Sequence, residues 1–128
     1  LSAKIGLTIC YDLRFPALFS AYAKAGVEIV AVPSAFTVPT GQAHWEVLLR
    51  ARAIEMGAFV VAPAQGGRHV DGRATWGRST IVDPWGRVRA KLDHDEPGVL
   101  VADLDLDLVA DARSKIPAWA GGGDFTGP

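Results

Sequence analysis

The 128-residue sequence holds one cysteine, Cys10, so no disulfide can close within it and the fold must rest on packing. A reducing, cytoplasmic setting is the expectation that follows. No sign of charge is in excess: 13 Lys+Arg stand against 14 Asp+Glu, a net of −1. That balance gives no electrostatic footprint for nucleic acid or for an anionic membrane, and neither is an expected partner. No apolar run reaches the roughly 18 residues that a spanning helix needs. No signal peptide is visible, and Leu1 stands where an initiator methionine is absent, so we expect that upstream sequence is missing. The three histidines, His44, His69 and His94, lack the paired spacing of a zinc site. Neither a metal nor a cofactor is expected. No G-x-S-x-G surrounds Ser34 or Ser79, which argues against a serine-hydrolase elbow, and no Gly-rich phosphate motif follows a strand. What is present is apolar surface: 49% apolar against 21% charged residues, enough to form a core in one domain.

The pattern of that apolar surface reads as α/β. Residues 4–9 alternate, with Ile5, Leu7 and Ile9 on one face, as in a strand. Pro16 suits the first turn of a helix over 17–25, and Gly26 suits its end. Residues 27–32 are apolar on both faces, which predicts a central parallel strand covered on both sides. Strand, helix and strand within so short a span make a βαβ unit. A loop over 33–41 then leads into a helix over 42–56, on which Trp45, Leu49, Arg52 and Met56 share one stripe. Arginine is out of place on a core stripe, and Glu55 is its expected partner, in a structural ion pair. Glu46 and Arg50 have the spacing of a solvated helix pair, unless Glu46 lines a pocket. Further strands are expected at 58–64, 76–82, 87–92 and 98–102. A Gly/Arg-rich loop is expected at 65–75, and a tight turn at Asp83-Pro84-Trp85-Gly86. A second turn is expected at 93–97, a short helix over 104–115, and a loose tail from Gly121.

Cys10 is the first candidate for chemistry. A thiol at the C-terminal end of a parallel strand, entering a helix, sits where α/β folds place reacting groups. Free cysteine is also among the most buried residue types, so a small core filler is the equal alternative. The interval from Cys10 to Arg14 is too short to cradle a phosphate. His69 and His94 fall in expected loops, where solvated side chains are the ordinary outcome.

The run Cys10-Tyr11-Asp12-Leu13-Arg14-Phe15-Pro16 resembles the nucleophile segment of the nitrilase, or carbon–nitrogen hydrolase, superfamily. Further matches follow in order: Pro33-Ser34-Ala35-Phe36, Thr40-Gly41, Ala43-His44-Trp45-Glu46, Arg50-Ala51-Arg52-Ala53-Ile54-Glu55, Asp83-Pro84-Trp85-Gly86 and Lys115-Ile116-Pro117. Within the superfamily the sequence is most similar to the Nit branch of small-amide hydrolases, which includes deaminated-glutathione amidase and omega-amidase. The resemblance implies the C-terminal half of a nitrilase-type αββα sandwich over residues 1–117, followed by a Gly-rich flexible tail over 118–128. It also implies a Glu–Lys–Cys triad in which Cys10 attacks an amide carbonyl, ammonia leaves, and water releases the acid from a thioacyl-enzyme. Tyr11 would lend its backbone N–H to the oxyanion hole, Arg14 would pair with a substrate carboxylate, and Phe36 and Thr40 would line the pocket. A small-molecule amide is the implied partner, and the full-length enzyme is expected to be a homo-oligomer.

Three departures from the pattern matter. The family's glutamate base and lysine lie upstream of the cysteine, and neither Lys4 nor Glu46 matches their positions. Arg78 stands where many relatives carry histidine, and the Gly-rich end after Trp119 is unlike the usual tail. This chain alone is therefore expected to hydrolyse amides negligibly and to self-associate through apolar strand faces. The alternative reading is a truncated or degenerate, non-catalytic binding or assembly module.

Overall fold

Short runs of β-branched and small apolar residues set three adjacent parallel strands, β1 (Ile5–Leu7), β2 (Ile29–Ala31) and β3 (Phe59–Ala62). The structure, a computed structural model, describes residues 2–121. Ile29 is in register with both Ile5 and Phe59. Two antiparallel strands complete a five-stranded sheet of order β1-β2-β3-β6-β7, with β6 at Thr80–Val82 and β7 at Val88–Lys91. Between them, Asp83 holds the tight turn. Its buried Oδ1 accepts the Trp85 and Arg87 N–H groups, each at 2.9 Å, while Gly86 N–H donates to the Asp83 carbonyl at 2.9 Å.

The expected strand over 76–82 divides in two. Gly77 and Arg78 both adopt left-handed backbone, at φ 66° and 62°, and so break the extended run. Its first part becomes β5 (Ala74–Trp76), which pairs with β4 (Gly66–Arg68) in a separate two-stranded sheet. The stretch expected as a plain loop over 65–75 is therefore a hairpin. Residues 98–102 form no strand, and Val99 and Val101 stand exposed.

Helix α1 (Pro16–Lys24) opens on its proline as expected, and Gly26 follows it at φ 77°. The next helix starts earlier than its sequence suggests. A helical turn α2 (Val38–Thr40) accepts Pro39, whose missing N–H has no partner to lose in a first turn. A π-helical turn, Gly41–Trp45, then runs into α3 (Glu46–Met56), which Gly57 ends at φ 57°. Gly41 is required by close approach, since a Cβ there would collide with the Trp76 side chain. α4 covers Asp107–Lys115 and begins after Leu104, because Asp105 Oδ1 takes the Asp107 N–H at 3.0 Å.

α1 and α3 pack together on one face of the sheet, closing a core of Leu13, Phe19, Val30, Leu49, Met56 and Val60, none more than 0% exposed. The stripe Trp45, Leu49, Arg52 and Met56 is buried throughout, and Arg52 meets Glu55 at 2.9 Å as expected. The other sheet face is uncovered at β1, whereas Phe59 and Ile81 further along it are buried. Ile5, Leu7 and Ile9 are 56%, 72% and 72% exposed, and their neighbours Ile29 and Ala31 are only partly buried. β2 is central, but the cover expected on both sides exists on one. At the C-terminal end, a 3-10 turn (Pro117–Ala120) packs half-buried Trp119 against the core, past the expected boundary at 117. The Gly-rich end of the expected tail, 122–128, lies outside the described residues.

Candidate active site

β1 ends on Leu7, and three residues later the chain enters a tight 3-10 turn, Cys10–Arg14. Cys10 opens that turn with φ at +45°, a left-handed conformation that a non-glycine residue adopts at a cost of about 1–3 kcal/mol. Hydrogen bonds enforce it. Cys10 N–H donates to the Pro33 carbonyl (2.9 Å), Asp12 N–H to the Ile9 carbonyl (2.9 Å), and Ile9 N–H to Asp12 Oδ2 (2.8 Å). Cys10 is half-buried, and it lines a cleft of about 880 Å³ with Pro33, Ser34, His69, Arg78 and His94. Cys10 thus packs against the core and borders the cleft at once.

The cleft wall is made by the hairpin folding back over the ends of the parallel strands. Ser34 N–H donates to the Pro63 carbonyl (3.0 Å), Gln65 N–H to the Ser34 carbonyl (2.9 Å), and Trp76 N–H to the Phe36 carbonyl (2.9 Å). His69, expected to be solvated, instead sets Nε2 2.7 Å from Thr75 Oγ1 and faces the cleft. His94 lines the cleft as well but is exposed, so the solvated side chain expected there is found for His94 and not for His69. Arg78 brings a cation to the same wall. Its guanidinium carbon lies 3.8 Å from the Trp76 ring centre, and Nη1 donates to the Trp76 carbonyl at 2.7 Å. Nothing local in the sequence reveals these wall residues, because the hairpin that gathers them was itself unexpected.

The expected substrate-binding residues form a second group outside that cleft, on the far end of the same turn. The Arg14 guanidinium carbon lies 5.1 Å from the Phe36 ring and 5.6 Å from the Tyr11 ring. Arg14 Nη1 is 3.3 Å from His44 Nδ1. Arginine only donates, so in this contact His44 Nδ1 is the acceptor. Phe36 is buried against Trp45, their ring centres 5.0 Å apart. Thr40 joins this side through the helix that carries His44, its Oγ1 2.8 Å from Thr37 Oγ1. The π-helical turn is what brings His44 to Arg14, and such turns recur at functional sites. His44 stood within a matching motif, without any role read for it.

Lys4 and Glu46, which do not match the family's base and lysine, are engaged elsewhere. Lys4 Nζ donates to the Ala25 carbonyl at 2.7 Å. Glu46 pairs with Lys91 at 3.1 Å, not with Arg50, whose Nε donates to the Gly86 carbonyl at 2.8 Å because the tight turn packs against α3. The hydrogen bond to Glu46 holds the Lys91 amine above its ordinary pKa. Neither Lys4 nor Glu46 lines the cleft. Among the described residues, no three of His, Cys, Asp or Glu converge to hold a metal ion, and no helix is long and apolar enough to cross a membrane.

A thiol on a strained turn at the end of a parallel strand, in an α/β layer open on one side, invites comparison with known hydrolases. The carbon–nitrogen hydrolase family matches residues 1–114. This chain belongs to that family. Deaminated glutathione amidase of Bos taurus is 52% identical over 118 residues, which are 92% of this chain and 36% of that protein. A probable hydrolase, nit2, of Schizosaccharomyces pombe is 53% identical over 116 residues, or 89% of this chain and 42% of its own. Among solved structures, the C. elegans NitFhit protein superposes with a TM-score of 0.86 at 46% identity, over 91% of this chain and 28% of that one. A mutant of the amidase from Nesterenkonia sp. AN1, with acrylamide added at its active-site cysteine, superposes at 0.72 with 34% identity, over 91% and 46%. The α/β class and the nitrilase-type fold are thereby borne out. The chain spans about two fifths or less of the curated carbon–nitrogen hydrolases named above.

Proposed function

We propose that Cys10 is the nucleophile of an amide hydrolase acting on a small amide that carries a carboxylate. The observation that carries this reading is the left-handed Cys10, fixed at the end of a parallel strand and facing a cleft. In the first half-reaction the thiolate attacks the amide carbon and a C–S bond forms. The C–N bond then breaks, and the nitrogen leaves as ammonia after taking a proton. Water next attacks the thioester carbon, the C–S bond breaks, and acid and thiol are released. Tyr11 lends its backbone N–H to the oxyanion, and Arg14, stacked on Phe36, pairs with the distant carboxylate while Thr40 lines the same side. Lys4 and Glu46 are held elsewhere, and we assign the glutamate base and the lysine that this chemistry needs to the upstream segment that the longer relatives carry. The full enzyme is a homo-oligomer, and the uncovered face of β1 supports a covering layer there.

Arg14 gives the direct test of substrate class. In this chain joined to the upstream segment of a full-length relative, kcat/KM for succinamate should exceed that for butanamide, which lacks the carboxylate. Arg14→Ala should lower the succinamate value about 10–100-fold, in the range of one lost charge-assisted contact, and leave butanamide nearly unchanged. Equal losses on both amides would remove Arg14 from carboxylate recognition. The uncovered face also suits a non-catalytic assembly module. That reading takes over if the joined protein releases no ammonia from any amide.

A further inference from the structure

Arg52 is 5% exposed on α3, among side chains that are apolar. Burying a guanidinium is costly unless its donors are met, and Leu49 and Met56 on the same stripe show that a neutral side chain fills such a place. Its contacts account for the charge. Nε donates to the Leu13 carbonyl at 3.0 Å, Nη1 meets Glu55 Oε2 at 2.9 Å, and the guanidinium carbon lies 5.4 Å from the Phe19 ring centre. Leu13 belongs to the Cys10–Arg14 turn, whose two ends carry the thiol and the substrate-side guanidinium. Other bonds hold the start of that turn, through Pro33 and Asp12; Arg52 holds its later half from a different element.

We propose that Arg52 is a positioning residue. Through the Leu13 carbonyl it keeps the turn in the form that holds Cys10 left-handed and Arg14 against Phe36. Strained backbone persists only where the surroundings over-determine it, and this contact is one of the constraints. Half-exposed Glu55 fixes the guanidinium in turn. The catalytic consequence rests on the amidase reading above, whereas the coupling between Arg52 and the Cys10 backbone does not.

A double-mutant cycle in this chain tests the coupling. Glycine relieves a left-handed φ and alanine does not, so the Tm of Cys10→Gly less that of Cys10→Ala reports the strain. The cost of glycine in the unfolded chain cancels between backgrounds. With Arg52 present, this difference should exceed that in Arg52→Lys by about 3 °C or more, because lysine keeps the charge and loses the fork. Should Arg52→Lys fail to fold, Glu55→Gln repeats the cycle by changing a half-exposed partner only, with a smaller change of the same sign. A difference unchanged in the variants that fold overturns the positioning role, since a purely structural arginine lowers every Tm alike. The rate of Cys10 alkylation by iodoacetamide should also shift about 5-fold or more in Arg52→Lys below its Tm, and not in Val82→Ala, a core truncation on β6. Equal rates in wild type and Arg52→Lys count against the proposal. Coupling found together with no amide hydrolysis in the joined protein keeps Arg52 in its role and overturns the amidase reading.

Discussion

Trp45→Ala is expected to lower folding stability by about 3–5 kcal/mol, the range for truncating a large buried aromatic. The indole is 2% exposed, packs on Phe36 with ring centres 5.0 Å apart, and donates Nε1–H to the Arg78 carbonyl at 2.9 Å. It therefore ties the helix start, the pocket aromatic and the cleft wall at one point. Trp45→Phe removes mainly the hydrogen bond, worth about 1 kcal/mol, because the Arg78 carbonyl keeps its second donor, Thr80 Oγ1, at 2.7 Å. Thermal denaturation followed by circular dichroism should show a fall of about 10 °C or more for the alanine variant. A loss smaller than that of Trp45→Phe would mean that this corner is not part of the core.

The second large effect concerns catalysis. The chain by itself is expected to release ammonia from succinamate no faster than the uncatalysed background, whether or not Cys10 is present. Absence of a positioned base forfeits about 10²–10⁴-fold, and loss of an oxyanion donor a further 10²–10³-fold. Joined to the upstream segment of a full-length relative, the chain should gain at least about 10⁴-fold. Cys10→Ala should erase that gain. Ammonia release by the chain alone that vanishes in Cys10→Ala would show that the base lies among its own residues, with His69, His94, Asp95 and Glu96 on the cleft wall the first to replace.

The sequence was most legible where one local pattern decides the outcome. The Trp45–Met56 stripe, the Pro16 start of α1 and the Arg52–Glu55 pair follow from helical spacing and from proline's missing N–H, and the structure has each. Cys10 at the end of a parallel strand was legible too, but its left-handed backbone was not, because the bonds that enforce it come from Pro33 and Asp12. The hairpin over 66–76 escaped because β4 opens on two glycines, which have poor strand propensity, and it forms through contacts with Phe36 and Thr37 that lie far away in sequence. With it went the cleft wall, His69 included. Glu46 was paired with Arg50 on helical spacing alone. Lys91, 45 residues on, wins because the sheet brings it within 3.1 Å.

The most direct measurement is intact-mass and peptide-mass spectrometry of the joined protein, quenched during turnover of succinamate. A succinyl thioester is expected on the peptide that holds Cys10, absent from Cys10→Ala and reduced in Arg14→Ala. Ammonia release with no acyl group on Cys10, or with the group carried by another residue, would contradict it.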